Sequence, residues 1–431
     1  MHVTLRYGQN GLNIDLPDNW DITVVQKKSM PVLNDPAKAV SKALEHPSGC
    51  EILSTLVSGK KRACILICDI TRPVPNGLIL PVLIKELINA GLERDQIQIL
   101  VATGLHRPNK GKELREIVGD DWVTDNIIIG NHYARNDLDH INIGNTKAGT
   151  PVKLDRRFIE ADLRIAVGLV EPHFMAGYSG GRKIITPGIA HKDTITYLHS
   201  ATFMEHSRAT NCVLDGNPLH QQQLEIVEMI GGELAVNVIV DENRHLSYVN
   251  FGDIIQSHRE AVDFLRPYSE VYVPHRFKTV VTSSAGYPLD KTYYQTVKGM
   301  VGAKEILSPG GDLFIASEIS EGMGSPEYVV AQQKLIELGT DGFLESIKQK
   351  KHADIDEWQT EMQLKAMRNG TVRLYSNGLS TQDQALTGVQ IVRNLESAVL
   401  RSAQNHKTVA VIPEGPYVMP FVVGEGPQKK P

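Results

Sequence analysis

The chain has 431 residues, 41% of them apolar and 22% charged, with a formal net charge of −5. That length favours two domains over one, the composition is that of a soluble globular protein, and the mild acidity leaves no footprint for nucleic acid. The N-terminus lacks a basic-then-apolar signal pattern and no run approaches the ~20 apolar residues of a membrane helix, so a cytoplasmic protein without a membrane partner is expected.

Residues 1–20 alternate apolar and polar side chains and read as a β-hairpin turning at Gly8-Gln9-Asn10-Gly11. A short helix follows over 36–45, and 62–68 is the first buried strand. Cys64 and Cys68 share one face of that strand and read as core packing, since four cysteines in so long a chain make no disulfide framework. The strand runs directly into Asp69-Ile70-Thr71-Arg72-Pro73. A helix is expected over 77–90 and a strand over 96–102, which ends in Thr103-Gly104-Leu105-His106-Arg107-Pro108. A polar helix (110–118), a strand (126–129) and a hairpin-like region to Leu154 lead to the apolar run 163–170. After it comes EPHFMAGYSGGRKIITPGIA and a helix carrying His199.

Three strands thus end in polar loops, and polar groups at the carboxyl ends of parallel strands converge on one crevice. A helix over 218–230 and a strand over 234–240 complete the first half, and 264–275, with two prolines, is the expected linker. The second half repeats the alternation, with a strand at 279–283, a helix holding Tyr294, Gln295 and Lys298, and further elements at 312–316, 327–339, 372–375 and 409–412. Asp290 is expected to cap the helix and Gly299 to end it. The Gly-, Pro- and Lys-rich tail from 423 reads as disordered. The fold is expected to be α/β: two α/β domains, 1–270 and 271–431, with mostly parallel sheets facing each other across an active-site cleft.

Each polar loop has a bland and a chemical reading. Arg72 either holds a carboxylate through paired hydrogen bonds or forms an ion pair with Asp69. A lone loop histidine is ordinary, but His106 and His173, aimed at one crevice from two strand ends, suit a pair that takes a proton on one side of a substrate and returns it on the other. Lys183 is a solvated or phosphate-binding cation, or an amine that reacts once deprotonated. Arg182 either assists a phosphate or faces solvent. His199 fits no zinc spacing. Tyr294, Gln295 and Lys298 share a helix face, and Trp358 is either a core anchor or part of the pocket. Residue types and spacing alone reach as far as an enzyme acting on a small anion.

The set DITRP, ATGLHRP, VEPHFMAGYSGGRKIITPGIA, the Leu-His-Ser around His199, YYQTVKGM and the Trp-Gln at 358, in this order and spacing, resembles the nickel-dependent lactate racemases over essentially the whole chain. The resemblance implies a nickel-pincer cofactor, a pyridinium-3-thioamide-5-thiocarboxylic acid mononucleotide. Lys183 would be joined to it covalently and His199 would ligate nickel. The resemblance assigns His106 and His173 as the acid/base pair, Arg72 and Lys298 to the substrate carboxylate and oxygen, and Tyr294, Gln295 and Trp358 to the pocket. Asp69 supports the histidines and cofactor, while Thr71, Thr103, Ser179, Gly180 and Gly181 are candidates around the cofactor's phosphate. The first domain would hold the cofactor and the second would contribute substrate-binding residues.

The implied activity interconverts D- and L-lactate by hydride transfer to and from the cofactor, which avoids forming a carbanion beside a carboxylate. Other 2-hydroxy acids (malate, aromatic or longer-chain) remain alternatives, as do a non-catalytic nucleotide- or metal-binding protein and a zinc hydrolase with three histidine ligands. The implied partners are the 2-hydroxy acid and cofactor-synthesis proteins, with a homo-oligomer left open.

Overall fold

A computed structural model describes residues 1–426. The chain forms two six-stranded sheets. In the first, the order across the sheet is Leu246–Asp253, Glu233–Val240, Leu163–Leu169, Ala63–Cys68, Ile97–Ala102 and Ile128–Asn131, parallel except for Leu246–Asp253. The second sheet is wholly parallel, in the order Gln390–Ile391, Gly370–Tyr375, Leu307–Ala316, Phe277–Ser283, Thr408–Ile412 and Asp21–Val24. The fold is α/β.

The near-continuous apolar runs follow from this arrangement, because a parallel sheet is covered by helices on both faces. Along Ala63–Cys68, Ile65 and Ile67 enter one core, whereas Cys64 and Leu66 enter the other. That second core also takes in Val297, Val301, Trp358 and Met362. It therefore joins the two halves of the chain beneath the strand ends. Truncating Leu66, fully buried, to alanine would cost about 2–5 kcal/mol.

Several elements differ from expectation. The N-terminal hairpin forms as read, His2–Leu5 against Leu12–Asp15, but it packs through Leu5 and Ile14 on Val281, Phe314 and Val411 of the second sheet. With Asp21–Val24 paired to Thr408–Ile412, the first 25 residues lie with the C-terminal half, a departure from a division at 270. The linker expected at 264–275 is not one. The helix Ile254–Ser269 runs through Pro267 in its last turns, and Glu270–Val273 pairs in parallel with Met419–Val422. The proline is tolerated because Ala261, Val262 and Leu265 keep that helix face buried up to its end. Residues 121–126 form a helix capped by Asp120, and the next strand begins only at Ile128.

Asp290 does not cap the helix Tyr293–Ala303, whose cap is Thr292. It is fully buried and accepts from the backbone N–H of Gly8 (2.7 Å) and Glu318 (3.2 Å). Gly299 sits inside that helix rather than at its end, where a Cβ would come within 2.5 Å of the Ser283 carbonyl. Of the tail, residues 423–426 turn back against Val273 and Tyr272; the remainder lies outside the described residues. The four cysteines are free thiols, and among the described residues no helix is long and apolar enough to cross a membrane.

Candidate active site

The carboxyl ends of Leu163–Leu169, Ala63–Cys68 and Ile97–Ala102, adjacent in the sheet, open into one cavity of about 180 Å³. The helix Tyr293–Ala303 and the start of Glu357–Met367 form its opposite wall. Asp69 and Arg72 come from the central strand. His106 and His173 come from the two strands flanking it, so the imidazoles enter from either side of the central strand's end.

His106 Nδ1 lies 2.6 Å from Asp69 Oδ2. Asp69 Oδ1 in turn accepts from the Thr71 hydroxyl (2.6 Å) and backbone N–H (3.2 Å). Burial raises the cost of charging Asp69, but these hydrogen bonds and the His106 and Arg72 charges outweigh it and hold the carboxyl below its usual range. Asp69 is therefore a carboxylate that fixes the proton of His106 on Nδ1 and leaves Nε2 for the cleft. Burial alone would lower the His106 pKa; the Asp69 hydrogen bond and charge, with Asp356 further off, win and raise it. The side chain is 53% exposed, but it is open to the cleft, walled by protein, rather than to bulk water.

His173 is the reverse. Its Nδ1 accepts from the backbone N–H of Met175 (3.3 Å) and Ala176 (3.1 Å), so the neutral ring carries its proton on Nε2, toward the cleft. Burial, followed by the charges of Lys183, Arg72 and Lys298, pushes its pKa well below the ordinary value. The turn holding those amides is clamped by Arg182, which is fully buried and donates to the carbonyls of Ala176 and Tyr178, each at 3.0 Å. Arg182 thus neither faces solvent nor lines the cleft. Burial lowers its pKa to about 9.

Lys183 lines the cleft, its pKa lowered to about 7 first by burial and then by Arg72, Lys298 and Arg182. Half of such an amine is uncharged at neutral pH, a state that can attack or be acylated. Lys298 is also brought down to about 7, by burial and then Arg72. His199 caps the C-terminus of the helix Lys192–Leu198 and donates from Nδ1 to the Ile195 carbonyl at 2.8 Å. Its ring packs on Trp358 at 4.5 Å between centroids. Burial lowers its pKa to about 4, so it is neutral with a free Nε2 lone pair.

Arg72 pairs with Glu171, not with Asp69. Trp358 Nε1 donates to the Tyr294 hydroxyl at 3.3 Å. Gln295 turns a buried amide oxygen with no partner toward the cleft.

The phosphate candidates fare unevenly. Gly180 (φ +78°) lines the cleft, and a Cβ there would meet Val170 at 2.6 Å. Gly181 does not line it and packs against His258. The hydroxyls of Thr71, Thr103 and Ser179 border the cleft but donate to Asp69, the His132 carbonyl and the Leu169 carbonyl, respectively. In this arrangement they offer a phosphate no proton. Sequence reasoning missed Glu171, present only as a letter of EPHF, and Asp356, two residues before Trp358, and it quoted Gln359 only as part of the Trp-Gln motif; all three lie at the cleft or its rim. An acid between strand end and histidine was the available signal for Glu171.

The N-terminal domain model of lactate racemase matches residues 7–211 and the C-terminal domain model matches 274–419. The chain is 34% identical to the lactate racemase of Lactiplantibacillus plantarum over 287 residues, 67% of either chain. The chain belongs to the lactate racemase family. Within that family it is also 29% identical over 429 residues to the lactate racemase of Thermoanaerobacterium thermosaccharolyticum, covering 96% of this chain and 98% of the relative. The apoprotein structure of a lactate racemase from that organism superposes with a TM-score of 0.90 at 28% identity, covering 97% of this chain and all of that one. A Thermotoga maritima protein of 16% identity shares the fold, with a TM-score of 0.69, over 92% of this chain and 99% of that one. The family membership makes the chain an enzyme of the racemase type.

Proposed function

We propose that the enzyme interconverts D- and L-lactate, with a nickel-pincer nucleotide tethered to Lys183 and with His106 and His173 as the acid/base pair. Two features of the cleft fit that group. Lys183 is an amine whose pKa is lowered to about 7, which makes the uncharged form that a covalent tether requires available near neutral pH. His199 presents one free imidazole nitrogen beside it. Among the described residues no three His, Cys, Asp or Glu side chains are placed to hold a metal. The donor set therefore suits an ion whose other ligands come with the cofactor, and it speaks against the three-histidine hydrolase. When bound, the cofactor supplies an electron-poor ring carbon able to accept and return hydrogen as hydride.

The chain's own residues do the rest. Arg72 and Lys298 draw the substrate carboxylate to the His173 side, and Arg72 then exchanges Glu171 for the substrate. His106, with Nδ1 held by Asp69, takes the hydroxyl proton at Nε2. His173 donates its Nε2–H to the substrate oxygen from the other side. To act in turn as acid it must first gain a proton at Nδ1 and give up the Met175 and Ala176 N–H contacts there, which the substrate's negative charge favours by offsetting Arg72 and Lys298. The two walls hold the flat 2-oxo acid until hydrogen returns.

The observation that carries this reading is the pair of imidazoles flanking one strand end with Lys183 and His199 in the same cavity. Protein made with and without cofactor-synthesis partners, compared by intact mass, should differ by an adduct on Lys183, and only the adduct form should racemise. With single-enantiomer lactate deuterated at C2, the label should be retained in the product. Loss of the label to solvent, or full activity without the adduct, would sink the proposal.

A further inference from the structure

Asp356 lines the cleft opposite the strand ends, and no part of the scheme above uses it. The other charged groups in the lining fall into two sets. Arg72, Lys183 and Lys298 surround His173, and Asp69 is committed to His106 and Thr71. Asp356 is paired with no lysine or arginine; burial raises its pKa, and the hydroxyls of Ser325 and Tyr294 and the charge of His106 partly offset this. Its Oδ2 accepts from the Ser325 hydroxyl at 2.5 Å, and it lies beside the Tyr294 phenol. Among the described residues it forms no ion pair with lysine or arginine.

The backbone supports an outward purpose for this carboxylate. Asp356 stands at the N-cap of Glu357–Met367, where an aspartate ordinarily accepts from the helix's free N–H groups. It makes no cap hydrogen bond. Instead the residue adopts φ +64° and ψ −1°, a left-handed conformation that aspartate, like asparagine, tolerates better than most residues. The carboxylate thus lines the cavity and does not cap the helix.

Its place in the cavity points to a role. A substrate carboxylate held by Arg72 and Lys298 leaves the C2 substituent to extend toward the Tyr294–Trp358 wall, since His106 and His173 occupy the flanks. Asp356 adjoins that wall, two residues before Trp358 and against Tyr294. We propose that Asp356 sets the charge the site accepts, admitting 2-hydroxy acids with one carboxylate and turning away those whose substituent carries a second. An apolar substituent meets nothing adverse there. A second carboxylate meets a like charge there that no lysine or arginine neutralises, in surroundings less screening than water. The inference rests on the proposed racemisation of 2-hydroxy acids and deepens it.

The test uses cofactor-loaded enzyme with lactate and malate as the mono- and dicarboxylic pair, comparing wild type with Asp356→Asn and Asp356→Gly. Both replacements accept a left-handed backbone, so the helix start is retained. Wild type should favour lactate, and each variant should raise the malate-to-lactate ratio of kcat/KM by about tenfold or more. Calorimetric binding of the two acids to the apoprotein gives the comparison without turnover: the variants should tighten malate and not lactate. Equal rates on both acids in wild type, an unchanged ratio in both variants, or an equal loss on both acids would overturn the proposal, the last by making Asp356 a partner of the reaction itself. Loaded wild type that racemises neither acid fails earlier, at the proposed function, and takes this inference with it.

Discussion

The two sides of the cleft carry the same side chain in opposite electrical surroundings. On one, His106 leans on a buried carboxylate and is held above the ordinary histidine range. On the other, His173 is faced by three cations and two backbone N–H groups and is held well below it. The raised value favours the protonated form of His106 and the lowered one the neutral form of His173, so the two rings start in different protonation states, and His106 acts as base only above its raised pKa. The difference teaches that the roles are set by what stands behind each ring and not by residue type.

The largest effects come from removing either ring. His106→Ala and His173→Ala should each lower racemisation by about 10²-fold or more, while intact mass still reports the Lys183 adduct. Loss of the adduct would mean that these rings build the cofactor site rather than run the chemistry. Asp69→Asn should be next, at about 10–10²-fold, because His106 loses the partner that orients it. It should also move the acid limb of the rate profile. His106 acts as a base only when deprotonated, so its raised pKa places that limb above the ordinary value, and losing Asp69 should shift it to lower pH. A limb that stays put would assign it to another group.

On the cationic side, Arg72→Gln should raise the midpoint of Lys183 labelling by an amine-selective reagent from about 7 in the apoprotein, though not to the free-lysine value, since burial is the larger cause. Arg182→Lys should weaken the turn that holds His173 Nδ1 and slow racemisation modestly while leaving the His106 limb unmoved. Equal disturbance of both limbs would show a merely structural role.

The smallest effect is on stability. His106 has a raised folded pKa, so its contribution is present below the unfolded value and lost as pH rises through the folded one. Asp69 has a lowered one, and its contribution is present above the unfolded value and lost as pH falls through the folded one. Asp69→Asn should therefore lower Tm more at about pH 5.5 than at about pH 9.

Much of this was legible in the sequence because strand ends carry their polar residues in contiguous letters. Asp69, Arg72, His106, His173 and Lys183 each follow an apolar run, and the structure gathers them where that pattern places them. Less local facts were not legible. The partner of Arg72 is Glu171, from another strand end. Arg182, beside two glycines, reads as a surface cation until the fold buries it against carbonyls six and four residues earlier. Pro267 reads as a break, yet it falls in the last turn of a helix whose buried face continues past it to Ser269. The strand Asp21–Val24 gives no sign that its neighbour lies nearly four hundred residues on, at Thr408–Ile412. Asp356 needs a backbone angle that no spacing rule gives.

The opposed fields are tested most directly by ¹⁵N-imidazole NMR of the apoprotein across pH, with His106 and His173 assigned by substitution. His106 should titrate above the ordinary histidine value with its proton fixed on Nδ1, while His173 stays neutral, protonated on Nε2, to well below that value. Two rings that titrate together near the ordinary value, or in the reverse order, would contradict the account.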